Sequence, residues 1–457
     1  MRVIICGAGR VGHGIAARLA EEGNTVTVVD LSPDLIRNIT TDLDVRGIVG
    51  HAAYPDMLKR AGAESAEMII AVTYADEVNM MACQIAHSVF NVPTKIARVR
   101  AQNYLQSEWN DLFSRDNLPI DVIISPEVEI GKSILRRLNM PGAFDVVPFA
   151  EGRVQLLGIK ITEDTPIIDT PIRQITDLFS GLHAVVVGIK RDGDVFAPTL
   201  DDPLNPGDEA YFITLAEHAP RLLEILGTAT VKARQIVIVG GGHIGAYVAA
   251  ELEKMQGVRA RMIELDKSRA ERTAENLRKT VILHGDAMNA EIMDEAGVPS
   301  AEFVLCLTDD DKTNILSAVL AKKLGAKRAA SLINEVSMQN LKSELGLDMV
   351  IDPRATTVSS ILRHVRRGRI LDVFSIEEGA AEVMEGEVLE TSPLAGKKLM
   401  DADIGEGIVI GAVIHDGQVL YPKPELVIRS GDRIVLLAEL SALKAVEQLF
   451  RVSMDYF

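Results

Sequence analysis

With 457 residues the chain is too long for one hydrophobic core, since single cores rarely grow past roughly 250–300 residues, so several domains are expected. Its 65 acidic side chains outnumber 48 basic ones, and a formal net charge of −17 argues against a nucleic-acid partner and gives no attraction to an anionic membrane surface. At 47% apolar and 25% charged it reads as an ordinary α/β chain, and no apolar run reaches the ~18–20 residues of a membrane span.

The chain opens on an apolar strand, Arg2 to Cys6, that runs straight into Gly7-Ala8-Gly9-Arg10-Val11-Gly12 and then a helical pattern through Ile15 and Leu19. In a dinucleotide fold the three glycines supply a tight turn, close backbone approach to a pyrophosphate, and close helix–strand packing. The phosphate would sit on the free N–H groups at the helix start. The next strand, Thr25 to Asp30, ends in a carboxylate where a ribose-binding acid belongs, about 20 residues after the first glycine. A strand at the N-terminus also leaves no signal peptide in view, so a cytosolic chain is expected.

Helices are expected at Pro33 to Thr41 and Pro55 to Ala61, with a strand at Val45 to Val49 between them. A buried strand (Met68 to Thr73), a long helix (Asp76 to about Phe90), strand five (Thr94 to Arg100) and strand six (Asp121 to Ser125) follow. Strands alternating with helices indicate parallel βαβ units and a doubly wound sheet. Pro126 opens a further helix that Asn139-Met-Pro-Gly142 breaks. From Asp145 to Thr214 the texture changes to short strands, Val154 to Ile161, His183 to Lys190 and Tyr211 to Thr214. Turn signals lie at Arg191-Asp-Gly-Asp194 and Asn205-Pro-Gly-Asp208, and a helix from Pro220 to Leu226 closes the segment.

From Lys232 the whole arrangement restarts. Gln235 to Val239 leads into Gly240-Gly241-Gly242-His243-Ile244-Gly245, and Arg261 to Glu264 closes the next strand on an acid. Gly285-Asp286-Ala287 falls where Gly50-His51-Ala52 stood, the strand ending at Thr308 matches the one ending at Thr73, and Asn314 matches Asn79. A helix from Ala355 to Gly368 takes the part of the one after Pro126, and Ser430-Gly431-Asp432 stands for Pro206-Gly207-Asp208. A repeat this long is a duplication, since solenoid periods run to about 20–50 residues. The expected fold is α/β: two Rossmann-like doubly wound parallel-sheet domains, each followed by a small α+β domain, at 1–140, 141–231, 232–370 and 371–457.

Gly7 to Gly12 and Gly240 to Gly245 read as pyrophosphate loops, with Arg10 and His243 placed to reach phosphate oxygens. Asp30 and Glu264 can accept both ribose hydroxyls and would repel a 2′-phosphate, which favours NAD(H) or a free-ribose adenosine nucleotide, ATP or ADP, over NADP. Thr73-Tyr74 and Thr308-Asp309 end the fourth strands at the carboxyl edge where such sheets bind ligands, although either pair could serve as a helix cap. Arg98 and Arg100 alternate with apolar neighbours on strand five and could bring a guanidinium to phosphates; the second copy has Ala329 and Ser331 in this region. The basic stretch Arg363 to Arg369 reads as a cation-rich helix C-terminus, with a docking surface as the other reading. Cys6, Cys83 and Cys306 each sit in an apolar element and read as small buried hydrophobes. No metal-ligand cluster emerges among the nine histidines, and no Ser-His-Asp or Cys-His set can be nominated.

The paired nucleotide and small domains resemble the RCK unit, the regulator-of-potassium-conductance module. Two such units in one chain resemble the TrkA family, the cytosolic subunits of bacterial Trk potassium uptake. Beyond the glycines the resemblance rests on Gly50-His51, Leu58 to Ala63, Ala71-Val-Thr73, Asn79 to Gln84, Ile96 to Arg100, Gly285 to Ala287 and His364-Val-Arg366. His51 stands where the wider module carries Asp, which Asp286 keeps, and His243 stands where Asn is common. The resemblance implies a nucleotide-sensing subunit without catalytic residues, assembled as a homotetrameric ring. It implies docking on the cytoplasmic face of an integral-membrane, TrkH-like potassium-translocating partner. The helices Asp76 to Phe90 and Asp311 to Gly325 are candidates for unit–unit packing. Two alternatives remain: an RCK-type regulator of another cation channel or antiporter, and an NAD-dependent dehydrogenase. The dehydrogenase would need a proton donor or acceptor beside the nicotinamide, and the small domains' histidines, His183, His218 and His415, lack a partnering motif.

Overall fold

The computed structural model describes residues 1–228, 234–339, 344–365 and 370–450. The boundary at 231/232, the last residues of the expected Ala355 to Gly368 helix, and Arg366 to Arg369 of the basic stretch lie outside the described residues. Strands β1 (Arg2–Cys6), β2 (Thr25–Asp30), β3 (Arg46–Val49), β4 (Met68–Ala71), β5 (Thr94–Arg98) and β6 (Val122–Ile124) form one parallel sheet. Its order is β3-β2-β1-β4-β5-β6, so the chain reverses direction across the sheet between β1 and β4, where such folds leave a ligand crevice. Helices α1 (Arg10–Glu21), α2 (Pro33–Asp42), α3 (Pro55–Arg60), α4 (Asp76–Ser88) and α5 (Pro126–Asn139) alternate with these strands.

The first small sheet is antiparallel, built from β7 (Asp145–Phe149), β8 (Val154–Lys160), β9 (Val185–Arg191), β10 (Asp194–Phe196) and β11 (Glu209–Leu215) in the order β10-β9-β11-β8-β7. Helices α6 (Ile172–Phe179) and α7 (Ala219–Ile225) accompany it. The two edge strands β7 and β10 and the helix α6 are additions to the sequence reading. The expected turns are present: Asp192 and Gly193 both have positive φ in the β9–β10 hairpin, and Gly207 has φ +98.

The second half repeats the first. Strands β12 (Gln235–Val239), β13 (Arg259–Glu264), β14 (Val281–His284), β15 (Phe303–Cys306), β16 (Ala329–Leu332) and β17 (Met349–Ile351) take the order β14-β13-β12-β15-β16-β17. Their helices are α8 (His243–Leu252), α9 (Lys267–Asn276), α10 (Ala290–Glu295), α11 (Asp311–Lys323), α12 (Val336–Gln339) and α13 (Pro353–Leu362). The last sheet holds β18 (Ile370–Ile376), β19 (Ala381–Glu387), β20 (Ile408–His415), β21 (Gln418–Leu420) and β22 (Arg433–Glu439), with α14 (Leu443–Leu449) beside it. No described helix is long and apolar enough to cross a membrane.

The two nucleotide units exchange helices. Ile130, Ile134 and Leu138 of α5 are buried in the core of the second sheet with Ile236, Ile238 and Met262. Ile361 and Leu362 of α13 are buried in the core of the first sheet with Val3, Ile5 and Ile70. Each buried aliphatic side chain contributes about 1.5–3 kcal/mol, so neither sheet is complete without the other unit's helix. Close crossing is possible because each contact sets a glycine against a larger residue: Gly14 of α1 faces Val358 of α13, and Gly131 of α5 faces Tyr247 of α8. The two small sheets also share a core, in which Phe149, Leu156, Val187 and Tyr211 meet Val383, Ala412, Ile414 and Leu437. The three cysteines are free and buried, as expected, and burial pushes the Cys6 thiol up to about 12.

Candidate functional site

Both glycine loops end β-strands at the crevice and start helices whose first N–H groups are left without a side-chain cap. Gly9 and Gly242 occupy the N-cap positions in extended backbone. Uncapped N–H groups beside the positive end of a helix form an anion site. Gly7 and Gly240 turn the chain with φ +112 and +102. A Cβ on Gly12 would lie 1.9 Å from the Gly7 carbonyl oxygen, and one on Gly245 would lie 2.0 Å from that of Gly240. A Cβ on Gly9 or Gly242 would meet no protein atom within 4 Å. The first and third glycines therefore serve the fold, while the middle one keeps open the space just beyond the helix start. Arg10, Val11, His243 and Ile244 line that space, and Ala8 and Gly241 stand one residue before it.

The acids hold the loops from behind. Ala8 N donates to Asp30 Oδ2 at 2.7 Å, and Gly241 N donates to Glu264 Oε2 at 2.6 Å. Asp30 also accepts from Ser32 N at 2.8 Å, and Glu264 from Asp266 N at 2.7 Å. Glu264 has a further partner that sequence reading missed, the Arg269 guanidinium at 2.9 Å. Burial raises the Glu264 pKa, but the bonds from Arg269, Asp266 N and Gly241 N outweigh it and hold the carboxyl below its usual range. Leu35 occupies the corresponding place in the first unit, five residues past its acid, so no such pair is built there.

At the fourth strands, the two threonines do not cap the following helices; each binds a buried asparagine. Thr73 N and Oγ1 donate to Asn79 Oδ1 at 2.8 and 2.7 Å, and Thr308 makes the same two bonds to Asn314. The cap of α11 is Asp310, which accepts from Thr313 N at 2.6 Å. Tyr74 is 85% exposed and lies beneath the Arg100 guanidinium, 5.4 Å from it. Arg98 donates to Thr73 O at 2.8 Å, and burial, then the neighbouring Arg100, lowers its pKa.

One equivalence read from sequence is corrected by register. In the strand pairing Ala71 stands opposite Ala97, and Cys306 opposite Ser331, so Ser331 corresponds to Ala97. The counterparts of Arg98 and Arg100 are Leu332 and Asn334, not Ala329 and Ser331. Asn79 Nδ2 donates to Arg98 O where Asn314 Nδ2 donates to Leu332 O. Likewise Asp76 accepts from Arg100 N where Asp311 accepts from Asn334 N. The inferred absence of strand-five charge in the second unit persists at the corrected positions. His51 keeps the local turn of its counterpart: its Nδ1 accepts from Ala53 N at 3.2 Å, as Asp286 Oδ1 accepts from Met288 N at 2.8 Å.

Sequence alone could not place the two sites relative to each other. They face across a single cleft of about 1040 Å³ lined by Gly9, Asp30 and Arg98 from one unit and Gly242, Glu264 and Asp309 from the other. Arg10 crosses the cleft and forms an ion pair with Glu335 of the second unit. Among the described residues no cluster of three or more His, Cys, Asp or Glu could hold a metal.

The sequence matches the TrkA-N domain family over residues 3–126 and 236–353 and the TrkA-C domain family over 156–227 and 383–451. It is 51% identical to the Trk system potassium uptake protein TrkA of Azorhizobium caulinodans over 100% of both chains. It is 38% identical to that of Halomonas elongata, again over 100% of both chains, and 36% identical to that of Vibrio alginolyticus over 99% of each. In fold it resembles the GsuK RCK domain, with a TM-score of 0.60 at 19% identity over 98% of this chain and 94% of that one. It also resembles the GsuK channel bound to NAD, with a TM-score of 0.60 at 18% identity over 98% and 78%.

Proposed function

The chain belongs to the TrkA family of potassium-uptake proteins, and from that premise we propose that it is the nucleotide-sensing member of its uptake system. It is a regulatory subunit of a potassium transport system and not an enzyme, in keeping with relatives named as potassium uptake proteins. The dehydrogenase alternative falls with that relationship.

Nucleotide units at 1–140 and 232–370, with small units at 141–231 and 371–457, each bind one adenine nucleotide, NAD(H), ATP or ADP. The pyrophosphate rests on the N–H groups of Gly9 to Gly12 and of Gly242 to Gly245. The ribose hydroxyls reach Asp30 and Glu264, with Ala8 and Gly241 beside them. Thr73, Tyr74 and Arg98 bound the far end of one site, and Asp286, Thr308 and Asp309 border the other. The observation that carries this reading is the pair of glycine loops, each tied to its strand-end acid, opening into one cleft between two units.

A ligand can drive a conformational change only by binding one state better than another. Nucleotides in a cleft whose walls belong to different units meet that condition, because opening the cleft changes what both sites contact. Movement of the walls passes through the exchanged helices to the small domains, and from there to an integral-membrane, TrkH-like potassium-translocating partner at the cytoplasmic face. A homotetrameric ring is the working assembly. Its candidate contacts are the half-exposed stripes Met81, Ile85 and Val89 of α4 and its following residue, and Leu316 and Leu320 of α11, which recur at the same positions of the two units.

Calorimetric titration of the full chain with NAD, NADH, ATP and ADP tests the binding. Asp30→Ala and Glu264→Ala should each weaken NADH at their own site by about 1.5–3 kcal/mol, the worth of a hydrogen bond to a charged group. Unchanged stoichiometry and affinity in the double variant would overturn the assignment. Light scattering that stayed at the 49.6 kDa monomer mass at high concentration, with and without nucleotide, would overturn the ring.

A further inference from the structure

The two small domains carry the same surface platform with its charges placed differently. In the second domain residues 396–400 run beside 424–428: Ile428 N donates to Lys397 O at 2.9 Å and Leu399 N to Leu426 O at 2.8 Å. These bonds flank Lys398 and Val427, an antiparallel pair of the non-hydrogen-bonded kind, whose side chains approach most closely. Leu399, Leu426 and Ile428 turn inward to the domain's core, so Lys398 and Val427 face solvent. One step along, Met400 N donates to Pro424 O at 2.9 Å and so sets Met400 beside Glu425. Met400 is 63% exposed and Val427 40%. The platform therefore has Lys398 diagonal to Glu425 and Met400 diagonal to Val427. Neither charged side chain forms a hydrogen bond or an ion pair with another described residue. In the first domain Pro171 pairs with Pro203, and Arg173 N donates to Leu200 O at 2.9 Å, so Arg173 and Asp201 stand where Met400 and Glu425 do. There the charges lie side by side and neutralise each other as an ion pair within the chain.

The diagonal arrangement is self-complementary. A two-fold axis in the contact plane, along the Met400–Val427 diagonal, lays each of these residues on its own counterpart in a second copy. The same operation carries each Lys398 onto the other copy's Glu425. We propose that the platform of the second small domain is a two-fold docking surface for a second copy of this chain. Met400 and Val427 fill its centre, and the two Lys398–Glu425 pairs fix its register, since other orientations set like charges against each other. An anionic lipid surface is the poorer occupant, because Glu425 and the net charge of −17 both oppose it. Stable interfaces bury about 1,200–2,000 Å², so a platform this small makes a weak contact that is best read by trapping it. It is separate from the α4 and α11 stripes, which lie on the nucleotide units, and it needs no nucleotide.

The three native cysteines are free and buried, so one introduced thiol reports the contact. The full chain carrying Met400→Cys is treated with a short bismaleimide, without nucleotide, and crosslinked dimers are counted on a denaturing gel. Because Met400 lies on the axis its two copies meet, and the local concentration should make crosslinking about tenfold faster than in Leu200→Cys. Leu200 is the control because it is 61% exposed on the first domain's platform. Adding Lys398→Glu or Glu425→Lys to Met400→Cys should slow the reaction about tenfold, since each puts like charges in register. Mixing those two chains should restore the rate, because the two reversed charges then face each other. Equal rates in Met400→Cys and Leu200→Cys, or slowing without restoration in the mixture, would overturn the two-fold contact. Binding of the parent chain to phosphatidylglycerol vesicles that Lys398→Glu abolished would give the platform to lipid and overturn it equally.

Discussion

In the first nucleotide unit Asn79 binds Thr73 N, Thr73 Oγ1, Thr73 O and Arg98 O at 2.8, 2.7, 3.1 and 3.0 Å. In the second, Asn314 makes the same four bonds to Thr308 and Leu332 at 2.8, 2.7, 2.9 and 2.9 Å. Both asparagines are fully buried, and both fix the loop at the crevice rim. Yet the side chains carried on that rim are Tyr74 and Arg98 in one unit and Asp309 and Leu332 in the other. Three of the four bonds go to backbone groups and the fourth to a threonine present in both units, so the frame can be kept while the surface it presents is changed. Duplication followed by such divergence gives two sites of one shape and two chemistries.

The largest expected effect tests how far the two frames are the same. Gly12→Ala and Gly245→Ala each drive a Cβ into a backbone carbonyl that cannot swing away. Either should destabilise its unit by on the order of 5 kcal/mol, among the most severe single substitutions. Gly9→Val and Gly242→Val meet open space and should stay within about 0.5 kcal/mol of the parent while losing nucleotide. Denaturant midpoints of the four variants decide it; a tolerated Gly12→Ala would break the equivalence of sequence fingerprint and packing.

These glycines and the two acids were legible in the sequence because their constraints are local, set by spacing along one strand, turn and helix. The doubly wound sheets and the duplication followed from the same periodicity. The exchange of α5 and α13 was not legible. An apolar stripe such as Ile130, Ile134 and Leu138 announces burial without saying against which of two similar sheets. Arg269 was missed because its reach to Glu264 depends on the backbone path between them. The Ala329 and Ser331 equivalence failed because strand register depends on loops whose lengths differ between the copies. The two small-sheet edge strands, β7 and β10, are short, five and three residues, and carry little alternation to read.

A second difference between the halves lies at the junction with the small domains. Arg18 of α1 is 4% exposed and reaches Glu382 of β19, 0% exposed, at 2.6 Å, joining the first nucleotide unit to the second small sheet. The mirror positions hold Glu251 and Gln155; Glu251 pairs with Lys254, just past the end of its own helix, at 2.6 Å. Removing one partner of a buried ion pair leaves the other charge in the interior, so Arg18→Ala should cost about 3 kcal/mol. Glu251→Ala should cost less than about 0.5 kcal/mol, as surface substitutions do. The double variant Arg18→Met, Glu382→Met should recover most of the loss, since apolar side chains of similar volume replace a buried pair at little cost. Equal effects at the two junctions would remove the asymmetry.

The smallest effect separates the units by pH. Glu253, eight residues past Gly245, accepts the N–H groups of Lys279, Thr280 and Arg278 at 2.6, 2.8 and 2.9 Å and so holds the loop into β14. Slight burial raises its pKa, but those N–H donors outweigh it and draw the carboxyl down to about 2. Eight residues past Gly12 stands Ala20, so the first unit has no such anchor. A carboxyl depressed in the folded state contributes stability that is fully present above its unfolded value near 4.5 and disappears as pH falls from there toward 2. Solvent screening keeps the contribution below about 1 kcal/mol. Hydrogen-exchange protection, corrected for intrinsic rates, should therefore fall between pH 5 and pH 2.5 at Arg278 to Thr280 more than at Asp44 and Val45. Glu253→Gln should lower protection of that loop at pH 7 and leave it unchanged at pH 2. A loop whose protection followed the same pH course in the parent and in Glu253→Gln would show that the carboxylate is a bystander.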